Sequence, residues 1–296
     1  MKVAVAKHVV QAPADFTAFA DRQATALGEV AAQGARIVVL PEYLSLELAA
    51  TFDAGVRGDL HASLAAIQRY RDDWLALYAR LARTFDLYIV AGTFLLAHGG
   101  GRYRNRCDVF TPQGAYAWQD KLQLTGFEKT LGVMEGGDAV KVFDMDGVRA
   151  AVAVCYDSEF PLPVRAQAEA GARLLLVPSC TDTAAGATRV RVGCLARALE
   201  NRMFVAQSVT AGEAAWSPAL DINTGEAAIF APMDRGLPDD GIVAQTADQA
   251  AWAIADLDVD ALDRSRASAQ VANDRDWPGQ LQPALLRARA TAFEMP

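Results

Sequence analysis

The sequence predicts an α/β fold, in which buried strands alternate with amphipathic helices. Apolar runs rich in Val, Ile and Leu alternate with segments whose apolar residues recur every three to four positions. A pattern of helix, Gly-Ala-Arg, apolar run and proline occurs twice, at GARIVVLPE and GARLLLVPS. The chain has 296 residues and is 52% hydrophobic, which is enough to bury a sizeable core.

The first half begins with the strand VAVAKHVV and the helix FTAFADRQATALGEVAAQGA, which ends at Gly34. The run ARIVVLPE predicts a second buried strand that stops at Pro41. The helix RDDWLALYARLARTFD then precedes the strand LYIVAGTFLLA, a glycine turn and the strand CDVFT. AYAWQDK predicts another strand, and KVFDMDGVRAAVAVC predicts a hairpin with its turn at Asp146-Gly147.

The second half repeats this alternation. The helix PVRAQAEAGA precedes the strand RLLLVPS, the helix RVRVGCLARALENR precedes the strand MFVAQSVT, and EAAIFAP, GIVAQTA and AAWAIADLD predict shorter strands. The echo between the halves indicates one domain, which we assign to residues 1–260. Residues 261–296 are charged and Ala-rich, so we expect a C-terminal tail on the surface or at a subunit contact. Periodicity fits two stacked sheets with helices outside and a single doubly wound sheet equally well.

Charge and composition disfavour several classes of partner. The net charge of −8 argues against nucleic acid and against an anionic membrane surface. No apolar run is long enough to span a bilayer, and the N-terminal strand pattern lacks a signal-peptide h-region, so we expect a cytoplasmic protein. Four cysteines without CxxC spacing and three histidines without HxxxH offer little for a metal site. Without a Walker or GxGxxG pattern, we expect no cofactor.

Three chemistry-bearing residues stand where predicted strands end. Cys155 ends the strand in AVAVCYDSEF, Glu42 follows IVVLP, and Lys121 ends AYAWQDK. Proteins with α/β folds expose such side chains into clefts at strand ends. Taken singly, a structural cysteine, a solvated glutamate and a solvated lysine are the alternatives. Together, a thiol, a carboxylate and an ammonium supply a nucleophile, a base and an oxyanion stabiliser.

These regions resemble a known family. LPEY around Glu42, DKLQLTGFEK around Lys121 and AVAVCYDSEFP around Cys155 resemble, in order and spacing, the signature regions of the nitrilase superfamily, the carbon–nitrogen hydrolases. The resemblance extends from the N-terminus to about residue 255. It implies a four-layer α-β-β-α sandwich of the nitrilase type. It also implies protomers that pair through their helical faces as a homodimer or higher homo-oligomer.

The resemblance further implies a Glu-Lys-Cys triad. Cys155 would be the nucleophile, Glu42 the general base and acid, and Lys121 the stabiliser of the transition state. Glu128 matches an additional glutamate with which many members position substrate, and the backbone N–H of Tyr156 would be a second oxyanion donor. The implied reaction is cofactor-independent hydrolysis of a small linear amide or carbamoyl compound through a thioester, with release of ammonia or an amine.

Some positions depart from the usual family pattern, and several alternatives stay open. Cys155-Tyr156-Asp157 resembles the amidase branches, whereas true nitrilases usually have Cys-Trp-Glu, so an amide is favoured over a nitrile. Asp120 and Gln123 stand where the family often has Arg and His, which leaves the substrate open. The alternatives are nitrile hydrolysis, acyl transfer to an amine, a non-catalytic binding homologue, and a redox protein in which Cys155 pairs with Cys180.

Two weaker signals concern arginines. Arg189 and Arg191 begin a helix in the region where the family often contacts substrate, so they either bind an acidic substrate group or are solvated. The glycines at residues 99–101, followed by three arginines, are better interpreted as a hairpin turn than as an anion-binding loop.

Overall fold

The structure is a computed structural model that describes residues 1–289. The strands are β1 Lys2–Val9, β2 Ile37–Leu40, β3 Tyr88–Ala97, β4 Tyr103–Phe110, β5 Tyr116–Asp120, β6 Met134–Glu135, β7 Val142–Met145, β8 Val148–Val152, β9 Leu174–Ser179, β10 Phe204–Glu213, β11 Ile222–Asn223, β12 Ala228–Phe230, β13 Ile242–Gln245 and β14 Trp252–Asp256. The α-helices are α1 Phe16–Ala32, α2 Ala54–Arg57, α3 Leu60–Ile67, α4 Arg71–Phe85, α5 Gly126–Leu131, α6 Pro161–Glu169, α7 Ala184–Asn201, α8 Val259–Arg264 and α9 Asn273–Asp276. Short 3-10 helices cover Leu44–Thr51, Gln68–Tyr70, Cys155–Glu159, Ser265–Ala267 and Trp277–Leu281.

Strand β1 joins two sheets. The strand order is β5-β4-β3-β2-β1-β10-β9-β8-β7, with β14 against β1, and β12 between β10 and β13. Residues 3–5 of β1 pair in parallel with residues 37–39 of β2, whereas residues 7–9 pair with residues 209–211 of β10. The first sheet therefore contains β1 to β5 and β14, and the second contains β7 to β10, β12 and β13.

Alternate residues of β1 face different layers, as the twofold periodicity of a strand requires. Val3 shares a core with Leu175 of β9, so one face of the first sheet packs on the second sheet. Ala4 lies in a separate cluster with Phe19 of α1 and Trp74 of α4 on the opposite face. Helices α6 and α7 cover the outer face of the second sheet. This confirms the predicted four-layer sandwich and excludes a single doubly wound sheet.

The repeated sequence pattern forms equivalent elements in the two halves. GARIVVLPE supplies β2 after α1, and GARLLLVPS supplies β9 after α6. The two strands lie beside the central strands β1 and β10. Periodicity missed the helical segments between residues 44 and 67, where a 3-10 helix and the short helices α2 and α3 follow β2. These segments are short and apolar on several sides, so the sequence does not show the three-to-four-residue repeat of apolar positions that predicts a helix.

The C-terminal segment is partly integrated into the core. Helix α8 crosses the predicted boundary at residue 260, and Leu262 is fully buried. Further on, Arg266 contacts Asp274, and the Arg165 guanidinium lies over the Trp277 ring. The domain division stays a prediction, and residues 290–296 of the predicted tail lie outside the described residues. Among residues 1–289, none of the helices has the length and apolar character that crossing a membrane requires.

Candidate active site

The chain after β2 holds Glu42 at the inner end of a cleft. Tyr43 has a left-handed backbone (φ 61°), and its N–H donates to Thr93 Oγ1 at 2.8 Å. Gly92, beside Thr93, has φ +66°, and a Cβ there would lie 2.1 Å from the carbonyl oxygen of Pro41. Only glycine allows β3 to approach the Pro41 carbonyl this closely. The two strands thereby fix the backbone on both sides of Glu42.

Lys121 and Glu128 come from the end of β5 and the first turn of α5. Thr125 caps this helix, because its Oγ1 accepts the Glu128 N–H at 3.3 Å and its own N–H donates to Glu128 Oε2 at 2.9 Å. This reciprocal pair is a capping box. The capping carboxylate also lies 2.8 Å from Lys121 Nζ, so one side chain both starts the helix and holds the lysine.

Cys155 lies at the start of a 3-10 turn just after β8. Its φ of 48° is in the left-handed region, which costs a non-glycine residue about 1 kcal/mol or more. The turn is held by Asp157, whose carboxylate accepts backbone N–H groups of Val154 at 3.2 Å, Leu122 at 3.1 Å and Gln123 at 2.7 Å. Asp157 therefore joins the turn at Cys155 to the segment that carries Lys121.

Lys121 lies between two buried carboxylates. Its Nζ is 2.8 Å from Glu42 Oε1 and 2.8 Å from Glu128 Oε2, and all three side chains are 1% exposed. Asn105 of β4 donates through Nδ2 to Glu42 Oε1 at 2.8 Å and to Glu128 Oε1 at 3.2 Å. The Tyr43 hydroxyl donates to Glu128 Oε1 at 2.9 Å. Neutral donors and one ammonium thus supply hydrogen bonds to both carboxylates, which are buried from water.

This environment moves the pKa values of the two glutamates in opposite directions. Burial raises the pKa of Glu42 above its ordinary value, and Lys121 only partly offsets this. Burial acts on Glu128 as well, but Lys121 and the hydrogen bonds from Thr125 and Tyr43 outweigh it, so the pKa of Glu128 is lowered. Glu42 therefore binds a proton more readily, whereas Glu128 stays ionised.

The lysine and the thiol are also strongly affected. Burial disfavours the ammonium of Lys121, but Glu42 and Glu128 outweigh it and raise its pKa well above the ordinary value. Burial, together with the Glu42 charge, raises the pKa of the Cys155 thiol well above its ordinary value. The resting site therefore contains a protonated thiol next to a carboxylate that can accept its proton.

The backbone of Cys180, after β9, connects the thiol and the carboxylate. The Cys155 thiol donates to the Cys180 carbonyl oxygen at 3.5 Å, and the Cys180 N–H donates to Glu42 Oε2 at 3.1 Å. The Cys180 thiol is directed instead to Asn223 Oδ1 at 3.5 Å. Within the described residues the four cysteines are free, so no disulfide joins Cys155 to Cys180.

A cavity of about 210 Å³ opens onto these groups. Glu42, Lys121, Cys155 and Tyr156 line its inner part. Its exposed and half-exposed lining residues, which we call the mouth, include Phe127, Glu159, Asp182, Arg189, Asp221 and Ile222. Among residues 1–289, no three His, Cys, Asp or Glu side chains come together as a group that could hold a metal ion.

Known proteins resemble this chain in sequence and in fold. A family model described as carbon-nitrogen hydrolase matches residues 2–266. The chain belongs to the carbon–nitrogen hydrolase family. A probable hydrolase of Bacillus subtilis, YhcX, is 34% identical over 215 residues, which are 71% of this chain and 42% of that protein. The chain therefore spans less than half the length of this relative. Omega-amidase NIT2-B of Xenopus laevis is 25% identical over 69% of this chain and 72% of its own.

Solved structures of the nitrilase superfamily share the fold of this chain. Nit3 of Saccharomyces cerevisiae, a member of branch 10 of the superfamily, superposes with a TM-score of 0.72 at 20% identity, covering 93% of this chain and 96% of Nit3. A variant of the amidase from Nesterenkonia sp. AN1, with acrylamide added at its active-site cysteine, superposes with a TM-score of 0.66 at 22% identity, covering 94% and 99%. The resemblance seen in the sequence is confirmed.

In this carbon–nitrogen hydrolase, the five site residues predicted from the sequence lie together. Glu42, Lys121 and Glu128 form one hydrogen-bonded group, and Cys155 and Tyr156 line the cavity beside them. Their catalytic roles stay predictions. Of the two arginines, Arg189 lines the mouth, whereas Arg191 hydrogen-bonds Gln245 outside this cavity. The glycines at 99–101 form the turn between β3 and β4.

Sequence reasoning missed Asn105, Asp157 and the backbone of Cys180. Asn105 had a signal, because it shares a strand face with Cys107 and Val109, both of which are buried. A polar residue on an otherwise apolar strand face indicates a buried side chain that forms hydrogen bonds. The roles of Asp157 and Cys180 had no such signal. Asp157 accepts the backbone N–H of Gln123, and the backbone N–H of Cys180 donates to Glu42, so both contacts involve backbone groups and residues far apart in the chain.

Proposed function

We propose that this chain hydrolyses the non-peptide C–N bond of a small linear amide or carbamoyl compound through a thioester on Cys155. Support comes from the family, from relatives named as amidases, and from the cavity that ends at Cys155, Glu42 and Lys121. The addition of acrylamide to the active-site cysteine of the Nesterenkonia amidase is consistent with a nucleophilic thiol here.

In the first step, Glu42 accepts the thiol proton as the Cys155 sulfur attacks the carbonyl carbon of the amide. The carbonyl π electrons move to oxygen, which becomes an oxyanion. The Lys121 ammonium and the Tyr156 N–H donate to this oxygen, since the first N–H groups of a helical turn have no partner within the turn. One such donor typically contributes about 3 kcal/mol to transition-state stabilisation.

In the second step, Glu42 returns the proton to the amide nitrogen, the C–N bond breaks, and ammonia or an amine leaves. The thioester that remains is attacked by water, from which Glu42 takes a proton. The C–S bond then breaks, the carboxylic acid leaves, and the sulfur regains its proton. Overall, amide and water become acid and ammonia or amine, with the site restored.

The observation that carries this proposal is the geometry at the inner end of the cavity. There the Cys180 backbone bonds both the Cys155 thiol and the Glu42 carboxylate, and Lys121 Nζ lies 2.8 Å from Glu42 Oε1. The directions of the two glutamate pKa shifts agree with this arrangement. A proton carrier needs a raised pKa near the working pH, and a charge holder needs a lowered one. The raised pKa of Glu42 suits proton transfer, and the lowered pKa of Glu128 suits a charge that is held. We therefore assign proton transfer to Glu42, and positioning of Lys121 and substrate to Glu128.

The test is ammonia release from short amides, ω-amides, N-carbamoyl compounds and nitriles, with intact-mass detection of an acyl adduct. Cys155→Ala should abolish release and the adduct. Cys107→Ala removes a buried thiol of the same sandwich outside the cavity and should retain both. Ammonia release that survives in Cys155→Ala would refute the thioester mechanism. A preference for nitriles over amides would show that the substrate is a nitrile and not an amide.

We further propose that the enzyme acts as a homodimer or higher homo-oligomer paired through helical faces. Leu162 of α6 and Val192 of α7 are 67% and 57% exposed, so this face has apolar side chains available for such a contact. Sedimentation equilibrium tests the proposal, and a monomer at micromolar concentration would refute it. The cytoplasmic location stays a prediction from the sequence.

A further inference from the structure

The mouth of the cavity is rich in negative charge. Three carboxylates, those of Glu159, Asp182 and Asp221, line it together with one guanidinium, that of Arg189. Glu159 ends the 3-10 turn that Cys155 begins, so its carboxylate is one helical turn from the nucleophile. At the inner part, the Glu42 carboxylate and the Lys121 ammonium line the cavity, and the Glu128 carboxylate lies behind Lys121 at 2.8 Å. The whole cavity is therefore a region of negative potential.

Arg189 offsets little of this charge. Its Nε lies 3.8 Å from Glu159 Oε1, and its side chain is 63% exposed, so water screens this contact. The Glu159 side chain is only 21% exposed. In the part of the chain that the structure describes, the side chains of Asp182 and Asp221 form no ion pair with a basic residue. An anionic substrate group would thus meet three carboxylates for one arginine that is already shared.

The mouth also presents apolar surface. Phe127 is 48% exposed and Ile222 is 53% exposed, and both line the cavity. Large apolar side chains in contact with water favour a ligand segment that covers them. These side chains and the carboxylates lie at the outer end of the cavity, whereas the thiol lies at the inner end. A ligand that spans the cavity therefore needs an apolar chain and a positively charged outer end.

We propose that the substrate is an amide or carbamoyl compound whose short apolar chain ends in a cationic amino group. Glu159, Asp182 and Asp221 attract the cation, Phe127 and Ile222 contact the chain, and the carbonyl carbon reaches the thiol. This inference rests on the proposed function and specifies its substrate class. Amides that carry a carboxylate, such as the ω-amides of dicarboxylic acids, are excluded by repulsion at the same mouth.

The test compares three amides of similar length, 5-aminopentanamide, hexanamide and glutaramic acid, by ammonia release near neutral pH. We expect kcat/KM to be about tenfold higher for the cationic than for the neutral amide, which is about 1.4 kcal/mol. The anionic amide should be the poorest substrate. Addition of about 0.5 M salt should shrink the preference, because salt screens exposed charges.

Variants then locate the preference. Glu159→Gln and, separately, Asp221→Asn should lower the ratio of kcat/KM for the cationic amide to that for the neutral amide. Asp239→Asn removes an exposed carboxylate outside the cavity and should leave the ratio unchanged. Each mouth variant is first compared with wild type by thermal unfolding. If one of them does not fold, the other is used to measure the ratio.

The outcomes separate the two levels of the proposal. Cys155-dependent hydrolysis with a preference for the neutral or anionic amide would overturn the cationic substrate and keep the proposed function. A cation preference that neither mouth variant changes would also overturn the assignment to these carboxylates. If none of the three amides is hydrolysed in a Cys155-dependent way, both the proposed function and this inference fail.

Discussion

At the scale of single residues, the site depends on one ammonium between two carboxylates. Glu42 and Glu128 both approach Lys121 at 2.8 Å, where water is excluded. Bringing two like charges into a buried site is costly, and only a shared counter-ion with further hydrogen bonds can offset the cost. Asn105 and Tyr43 supply those hydrogen bonds. We therefore expect Lys121 to be needed for folding as well as for the proposed chemistry.

The first prediction concerns the loss of this cation. Lys121→Met leaves two carboxylates buried without a counter-ion, so we expect the free energy of unfolding to fall by about 3 to 5 kcal/mol. Loss of the oxyanion donor should lower kcat by at least about a hundredfold. Urea denaturation and ammonia release measure the two effects. The control is Lys129→Met, an exposed lysine in the neighbouring helix α5, and an equal effect of both variants would contradict the prediction.

The second prediction concerns the acid limb of the pH profile. The pKa of Glu42 is raised above 4.5 mainly by burial, and the charge of Glu128 raises it further. Because the base must be ionised to accept the thiol proton, kcat/KM should fall as the pH drops through this raised pKa. Glu128→Gln removes a negative neighbour, so the limb should move to lower pH.

Profiles of kcat/KM against pH for wild type and Glu128→Gln provide the measurement. Glu135→Gln removes a half-exposed carboxylate outside the cavity and should leave the limb where it is. A limb that stays fixed in Glu128→Gln, or moves to higher pH, would count against Glu42 as the base.

At the scale of elements, the turn at Cys155 and the segment that follows Lys121 belong to different sheets and must keep a fixed relative position. Asp157 links them, because its carboxylate accepts N–H groups both from its own turn and from the residues after Lys121. On the other side, α7 approaches the turn at Cys155 closely at Gly193, where a Cβ would lie 2.9 Å from the Ser158 carbonyl oxygen. The position of the thiol is therefore set by contacts outside its own strand.

The third prediction follows from the pKa of Asp157, which burial raises to about 6 from an ordinary value of 3.8. As the pH falls below 6, the folded state takes up a proton before the unfolded chain does, so this group's contribution to the free energy of unfolding increases. The same proton occupies an oxygen that accepts backbone N–H groups, so activity should decrease over that range. Stability and activity should thus change in opposite directions.

Asp157→Asn tests this separation. The variant lacks the titration, so its free energy of unfolding should lose the part of the wild-type pH dependence between about pH 4 and 6. Misalignment of the turn at Cys155 and the segment that follows Lys121 should lower kcat by about 10- to 100-fold. Asp182→Asn cannot serve as a control, because it lines the mouth, so Asp239→Asn is used. Parallel pH profiles of wild type and Asp157→Asn would be the contrary result.

The fourth prediction concerns the contact between α7 and the turn at Cys155. Gly193→Ala forces the Ser158 carbonyl to move, and the Ser158 hydroxyl, which donates to the Cys155 carbonyl at 2.7 Å, moves with it. We expect a loss of about 1 to 3 kcal/mol in stability together with lower kcat. Gly28→Ala in α1 meets only the Phe85 ring at 3.3 Å and should change stability by less than about 1 kcal/mol. Full activity in Gly193→Ala would refute the prediction that this contact positions the Cys155 thiol.

At the scale of the whole molecule, the sandwich brings the two sheets' contributions together. Glu42 and Lys121 follow strands of the first sheet, whereas Cys155 and Cys180 follow strands of the second. The C-terminal segment is tied to the second sheet through Arg202, which bonds Asp234 at 2.7 Å and Ser265 Oγ at 2.7 Å. Residues beyond 260 therefore include part of the core.

The fifth prediction tests where that core ends. Leu262 is fully buried, so Leu262→Ala should cost about 2 to 5 kcal/mol of stability. Leu285 is 66% exposed, and Leu285→Ala should change stability by no more than about 0.5 kcal/mol. Thermal and urea unfolding of the two variants measure the difference. Equal effects would mean that the segment after residue 260 behaves as one unit, either wholly core or wholly tail.

The sequence by itself determined the alternation of strands and helices and pointed to the candidate site residues. Strand and helix periodicity predicted the elements that carry Glu42, Lys121 and Cys155, because alternation of apolar residues is a local property of the chain. Their order and spacing identified the family. Periodicity alone could not choose between one sheet and two, because a buried strand has the same apolar pattern in both arrangements. The four-layer sandwich was implied only by the family resemblance.

Only the tertiary structure decided how the site is assembled. Glu42 receives the Cys180 N–H from 138 residues away and the Asn105 amide from 63 residues away. The opposite pKa shifts of Glu42 and Glu128 arise from burial and from distances to Lys121, which no local pattern encodes. The charge of the mouth likewise results from three segments that meet in space. Electrostatics depends on distance and on exclusion of water, and folding sets both.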